Sequence, residues 1–397
     1  MRRRRLAVGL LAVPLLIAGL AIQGGVQQSK PTVEFIPDQT TVEECRSIAG
    51  GGGDPIGCYR QALGNLAVAD GPTAALSAYQ SESEMVPELY GGCHPITHWI
   101  GSAGLIYFKN DVGAAFVAGN DTCASGYYHG VVERAFFGVL LDENSLWTVS
   151  ERLCDAPAIS AVAYLSIQCF HGLGHGLMLA TDYNLPVSDA ICGRYADPLA
   201  AGSCYLGLFM ENFDGSYGVT SPWVVDGDLG STCASLDGPQ RDIAKSACYN
   251  GMIYRIARQS DRNAPWAEYI DACKSIDPSY AGACYNGFGR EVYTKYSIDF
   301  VRQHAAMRQA CLTAPPEGAL RCVIGVAGHV SYTDGDGVRA AGFCNEFEGE
   351  YRAGCFGEIG SFLSSLEGGW NALPGRCEPI AARPTDLAAC TEARPPR

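Results

Sequence analysis

CYNGMIYR at 248–255 and CYNGFGRE at 284–291 decide the fold. The same frame, a cysteine with glycine three residues on, recurs as CASGYYHG from 123, CFHGLGHG from 169, CYLGLFMEN from 204 and CVIGVAGH from 322. Its glycines are Gly126, Gly172, Gly207, Gly251, Gly287 and Gly325. CYRQALGN from 58, CHPITHWIG from 93 and CFGEIGSF from 355 are weaker members of the series. Successive marks lie 30 to 46 residues apart. Self-similarity at that period is the signature of a repeat architecture.

The eighteen cysteines pair naturally within this frame. Cys273 and Cys284, Cys311 and Cys322, and Cys344 and Cys355 are each 11 apart. Cys192 and Cys204 are 12 apart, Cys45 and Cys58 13, Cys377 and Cys390 13, Cys154 and Cys169 15, and Cys233 and Cys248 15. One cysteine in the first helix of a hairpin and one at the start of the second would staple each repeat. Closing so short a loop stabilises by roughly 3 kcal/mol in the chain-entropy model. Cys93 and Cys123, 30 apart, break the spacing and are expected to bridge neighbouring hairpins.

Segments between the marks carry apolar residues at three- and four-residue spacing, as in AALSAYQSES from 74 and LWTVSERLCDA from 146, which predicts helices. Only VVDGDLG from 224 hints at a short strand or turn. The expected fold is all-α: a right-handed superhelix (α-solenoid) of about eight to nine disulfide-stapled helical hairpins. Glycine early in each second helix costs about 1 kcal/mol relative to alanine. Its recurrence predicts helices that approach too closely for a side chain. In architecture the chain resembles tetratricopeptide-type solenoids, and more nearly the bacterial cysteine-rich repeat proteins whose helix pairs each carry a disulfide. The tetratricopeptide Trp-Leu-Gly-Tyr-Ala pattern is absent, so the resemblance carries no functional residues across.

Arg2 to Arg5 precede an apolar run from Leu6 to Ile22, a basic region and apolar core of the kind that directs export. Residues 1–22 are expected to be a signal peptide or uncleaved signal anchor, 23–42 a polar linker, 43–392 the repeat domain, and 393–397 a tail. The repeat domain divides into a histidine-rich half, 43–215, and a second half, 216–392. An even cysteine count fits an oxidising compartment, so the protein is expected to be secreted, periplasmic or extracytoplasmic and membrane-anchored. Without the four leading arginines the net charge falls from −14 to −18 (24 basic against 42 acidic residues). That excludes nucleic acid as a partner and leaves membrane contact only through an uncleaved anchor.

Five of the seven histidines fall between 94 and 175. His94 and His98, and His171 and His175, are four apart, and His129 has Glu133 four positions on. Residues so spaced share one helix face. Aligned on their cysteines, His129 and His175 stand six after, His98 five after and Glu211 seven after. Equivalent positions in stacked repeats lie side by side, so four adjacent second helices should bring His98, His129, His175 and Glu211 to one concave face. His98, His129 and His175 are the primary expected ligands. His94, His171, Glu133 and Glu211 complete or tune the site, with Glu133 or Glu211 as a candidate general base.

A nitrogen-rich donor set with carboxylate suits a divalent transition metal such as Zn, Fe or Cu better than Ca or Mg. The set is similar in idea, though not in motif, to deoxyhypusine hydroxylase, which builds a di-iron site from His-Glu pairs on a helical repeat scaffold. The sequence thus points to an exported metal-binding α-repeat protein, possible chemistries being those of a metal-dependent oxidoreductase or hydrolase. Two other readings stand beside it: a pH-sensing cluster, and a non-enzymatic interaction scaffold whose histidines form a structural polar network. The expected partner is a small molecule or peptide in the concave groove. His304 and His329 read as structural, and Asp334 and Asp336 as a polar turn rather than a calcium loop.

Overall fold

The computed structural model describes residues 35–393, apart from 52, 121, 124, 140–141, 216–218 and 261–264. The expected signal, most of the linker and residues 394–397 lie outside the described residues. Those described form one compact, all-helical unit. No strand occurs among them, and VVDGDLG is turn followed by the start of a short helix. No described helix is long and apolar enough to cross a membrane.

Local chemistry sets the helix starts. Asp54-Pro55, Asp197-Pro198 and Asp277-Pro278 each place an aspartate whose carboxylate accepts from first-turn N–H groups, followed by proline at a position that needs no N–H. The helices so begun belong to an inner row that carries the repeat. Its members run Pro55–Asp70, Cys93–Tyr107, Gly126–Ala135, Ala163–Ala180, Pro198–Asp214, Arg241–Gln259, Pro278–Tyr296, Pro316–Asp334, Gly349–Ser365 and Pro384–Thr391. Each packs on the next in sequence, which is the nearest-neighbour order of a solenoid. Shorter helices such as Leu185–Cys192 and Ala267–Ser275 form the outer row.

All nine disulfides expected from the spacing form, including Cys93–Cys123. The aromatic residues directly after their cysteines, Tyr59, Tyr205, Tyr249, Tyr285 and Phe356, are buried between the rows. The recurring glycines do what their position predicts. A Cβ on Gly207 would lie 1.9 Å from the carbonyl oxygen of His171, and one on Gly174 would lie 2.1 Å from that of Cys204. Gly325 against Asn286 and Gly289 against Cys322, both 2.1 Å, repeat this reciprocal contact, as do Gly101 against Tyr127 at 2.0 Å and Gly130 against His98 at 1.8 Å. Helix backbones therefore touch directly, and no other residue fits.

The inner row also curls upon itself. The ring of Tyr164 lies 6.2 Å, centroid to centroid, from both Tyr332 and Phe362. An interior cavity of about 300 Å³ is left, walled by the first half at His129 and His171 and by the second at Arg290 and Glu358.

Candidate metal centre

Four consecutive inner helices build the site. Cys93–Tyr107 brings His94 and His98, Gly126–Ala135 brings His129 and Glu133, Ala163–Ala180 brings His171 and His175, and Pro198–Asp214 brings Glu211. All seven residues singled out in the sequence meet in one region. They do not form a row of equivalent ligands. The histidines make two triads, His94, His98 and His129, and His129, His171 and His175, each with ring nitrogens within 4.8 Å of one another. His129 belongs to both. His98 and His175 fall in different triads, their ring centroids 6.4 Å apart, so the expected trio of His98, His129 and His175 is replaced by two sets that share only His129. The i,i+4 partners His94 and His171, one turn back, stand in the inward ring positions beside them.

The two triads are built alike. His98 Nε2 faces His94 Nε2 at 3.0 Å, and His175 Nε2 faces His171 Nε2 at 3.3 Å. His129 Nδ1 is 3.3 Å from His98 Nε2. Three of the rings are anchored from behind through Nδ1. His98 Nδ1 lies 3.0 Å from Glu133 Oε1, His175 Nδ1 lies 2.9 Å from Glu211 Oε2, and His94 Nδ1 lies 2.8 Å from the Cys123 carbonyl oxygen. Glu133 and Glu211 are therefore behind the histidines, each on the helix that follows its partner's. They orient rings and do not face the converging nitrogens.

Tyr183, which no repeat alignment picks out, donates to Glu211 Oε1 at 2.6 Å. Burial pushes its hydroxyl pKa up, and the Glu211 charge adds to this. The supports carry backbone strain: Cys123, Ser125 and Tyr183 have φ of 61°, 63° and 61°, the left-handed region that non-glycine residues avoid. The 93–123 disulfide fixes the Cys123 carbonyl against His94. Trp223 folds over the same place, its Nε1 donating to the Tyr183 carbonyl oxygen at 2.9 Å.

Protonation follows from burial. His98, His129 and His175 are 1%, 2% and 0% exposed. Burial holds His94 neutral, lowering its pKa to about 3, with repulsion from His98 adding to it. Burial likewise carries His129 and His171 well below the ordinary histidine value, reinforced by the neighbouring rings. The proton on His94 must be at Nδ1, because the Cys123 carbonyl oxygen only accepts. Three ring nitrogens converge, His94 Nε2, His98 Nε2 and His129 Nδ1, and that of His94 carries no proton. His129 Nε2, buried, has no hydrogen-bond partner. An unprotonated nitrogen facing a second ring nitrogen at 3.0 Å is satisfied by a shared proton or by a metal cation. Ligands on a tetrahedral ion at bond lengths of about 2.0–2.1 Å lie roughly 3.3–3.4 Å apart, close to the spacings seen.

His329 and His304 lie outside this cluster, as expected: His329 packs on Tyr293 and His304 on Phe300. Asp334 and Asp336 accept from Arg339 and from the Val338 N–H in a polar turn. No protein-family model, curated protein or solved structure matches the chain.

Proposed function

We propose that this is an extracytoplasmic metal-binding α-repeat protein whose five histidines take up a divalent transition metal, up to one ion per triad. The observation that carries the reading is the convergence of ring nitrogens within 4.8 Å of one another in each triad, backed by Glu133, Glu211 and the Cys123 carbonyl. Such partners fix the tautomer of a ligating histidine and raise its basicity. Zn, Fe and Cu suit an imidazole set with no thiolate, and all described cysteines are bridged. Nine disulfides support an oxidising compartment. The interior cavity reaches His129 and His171, so a bound ion would be open to a small molecule. This is the arrangement that a metal-dependent oxidoreductase or hydrolase requires.

A shared proton is the competing occupant, since 3.0 Å is also a hydrogen-bond distance; it would make the cluster a structural network in a binding scaffold. Metal analysis of protein purified from an oxidising host separates the two. The metal reading expects at least one equivalent, lost on His129→Ala, with the share held by His129, His171 and His175 lost on His175→Ala. Less than half an equivalent, unchanged in both variants, sinks it.

A further inference from the structure

The interior cavity has a wall, formed by Asn250, Asn286 and Arg290, that the metal reading does not use. We propose that it is a binding site for a small carboxylate-bearing molecule, with the carboxylate on Arg290 and Asn286 and the rest of the molecule extending toward His129 and His171. The reactive end of this proposal rests on the metal reading; the anion subsite does not.

Arg290 occupies the repeat position of His129 and His175, six after its cysteine, so the register that supplies ligands in the first half supplies a guanidinium in the second. It is the only Lys or Arg among the residues lining the cavity, and it is 8% exposed. Its guanidinium carbon sits 3.3 Å above the centre of the Tyr254 ring. Nε donates to Glu291 Oε1 at 3.2 Å, Nη1 to Asn250 Oδ1 at 2.7 Å and Nη2 to the Asn250 carbonyl oxygen at 3.4 Å. A guanidinium has five N–H groups, so these bonds fix its plane and leave two N–H on the terminal nitrogens for a ligand. Asn250 Nδ2 donates to Asn286 Oδ1 at 3.1 Å, which directs the Asn286 carboxamide and leaves its own N–H groups to the cavity.

Charge selects the class of anion. One guanidinium, with Glu291 already beside it and Glu358 in the same wall, matches a single negative charge. A phosphate dianion would meet one cation and two carboxyl groups. Burial pushes Glu358 up to about 7, so that wall tolerates a second carboxylate near neutrality. Size agrees: a cavity of about 150 Å³ admits benzene, and this one is about 300 Å³. Gly328 lets the Glu358 carboxyl lie against its backbone, since a Cβ there would lie 2.7 Å from Glu358 Oε1.

The test is calorimetric titration of acetate, benzoate, benzamide and inorganic phosphate into chelator-stripped and metal-loaded protein, with bound metal counted in each sample. We expect both carboxylates to bind the stripped protein. Benzoate should exceed benzamide and phosphate, and Arg290→Gln should weaken benzoate roughly 10- to 100-fold, the worth of a charge-assisted hydrogen bond. Asn286→Leu should weaken it less. The benzoate-to-benzamide ratio is read on the wild-type protein, so a misfolded Arg290→Gln variant does not remove the test. The proposal is overturned if carboxylates fail to bind, if benzamide binds as well as benzoate, or if phosphate binds better. It is equally overturned if carboxylates bind only the metal-loaded protein and Arg290→Gln leaves that unchanged. Carboxylate binding in protein that takes up no metal would keep this subsite and discard the metal reading.

Discussion

Replacing Gly207 by alanine tests the fold and the site together. The added Cβ would lie 1.9 Å from the His171 carbonyl oxygen, where no real contact falls under 3.0 Å, so the Ala163–Ala180 and Pro198–Asp214 backbones must part by about 1.1 Å. The obstructing atoms belong to site residues, since the His171 carbonyl carbon follows at 2.8 Å and His175 Cδ2 at 3.2 Å. Overpacking of a tight interface costs about 1–3 kcal/mol. Here the clash is backbone on backbone and cannot be relieved by a rotamer. Alanine returns up to about 1 kcal/mol of helix propensity, so a net loss of about 2 kcal/mol is expected. The same parting stretches the 2.9 Å contact between His175 and Glu211 beyond hydrogen-bond range, and loss of such a support lowers metal affinity about 10- to 100-fold. Gly375→Ala is the control, because nothing lies within 4 Å of its Cβ. Denaturant midpoints at constant m, with disulfides intact, and a metal-binding isotherm for each protein give the answer. If Gly207→Ala is as stable as Gly375→Ala and binds metal like the wild type, the backbone-contact account of the repeat glycines is wrong.

Three further outcomes are expected. Tyr183→Phe leaves Glu211 without its 2.6 Å hydroxyl donor and should lower metal affinity by about tenfold in competition with a chromophoric chelator; an unchanged affinity would show that the strained turn at Tyr183 does not serve the site. Glu358 has its folded pKa raised to about 7 by burial, against an unfolded value near 4.5. Its contribution is present below about pH 4.5 and lost as pH rises through 7, at about 1.4 kcal/mol per unit. Because Glu358 faces the cavity, the discounted figure is about 2 kcal/mol, so Glu358→Gln should raise the unfolding midpoint at pH 8 and not at pH 4. Equal effects at both pH values would contradict the burial argument. Replacing Cys273 and Cys284 by serine opens an 11-residue staple and should cost roughly 3 kcal/mol while leaving metal binding intact, since neither cysteine lies on the four helices that carry the histidines and glutamates; loss of metal would mean that the contact of the two halves around the cavity transmits to the site.

The fold is legible in the sequence because two strict requirements repeat. Disulfides need their cysteines at hairpin spacing, and touching backbones need glycine at Gly207, Gly287 and Gly325. The Cys93–Cys123 pair is not legible in this way, because its 30-residue separation departs from the hairpin spacing. The site is legible only in part. Helical spacing identifies the histidines, but which nitrogens converge depends on ring orientation, and that is set by groups with no fixed offset. The Cys123 carbonyl is backbone, Glu133 acts across to His98 rather than within its own helix, and Tyr183 sits in a turn outside the repeat frame. The cavity is invisible to periodicity because it depends on curvature: Tyr164 meets Tyr332 and Phe362 only once the row has bent back. Arg290 stands at the ligand register, yet its meaning depends on that closure.

The central claim is that His94, His98, His129, His171 and His175 converge to hold a divalent transition metal. Its most direct test is a zinc-binding isotherm on chelator-stripped, disulfide-intact protein at neutral pH, with His129→Ala beside it. One or two equivalents bound more tightly than about 1 µM, with the affinity of every site reduced in His129→Ala because both triads share that ring, is the predicted result. No uptake at micromolar protein, or uptake that His129→Ala leaves unaltered, contradicts the account.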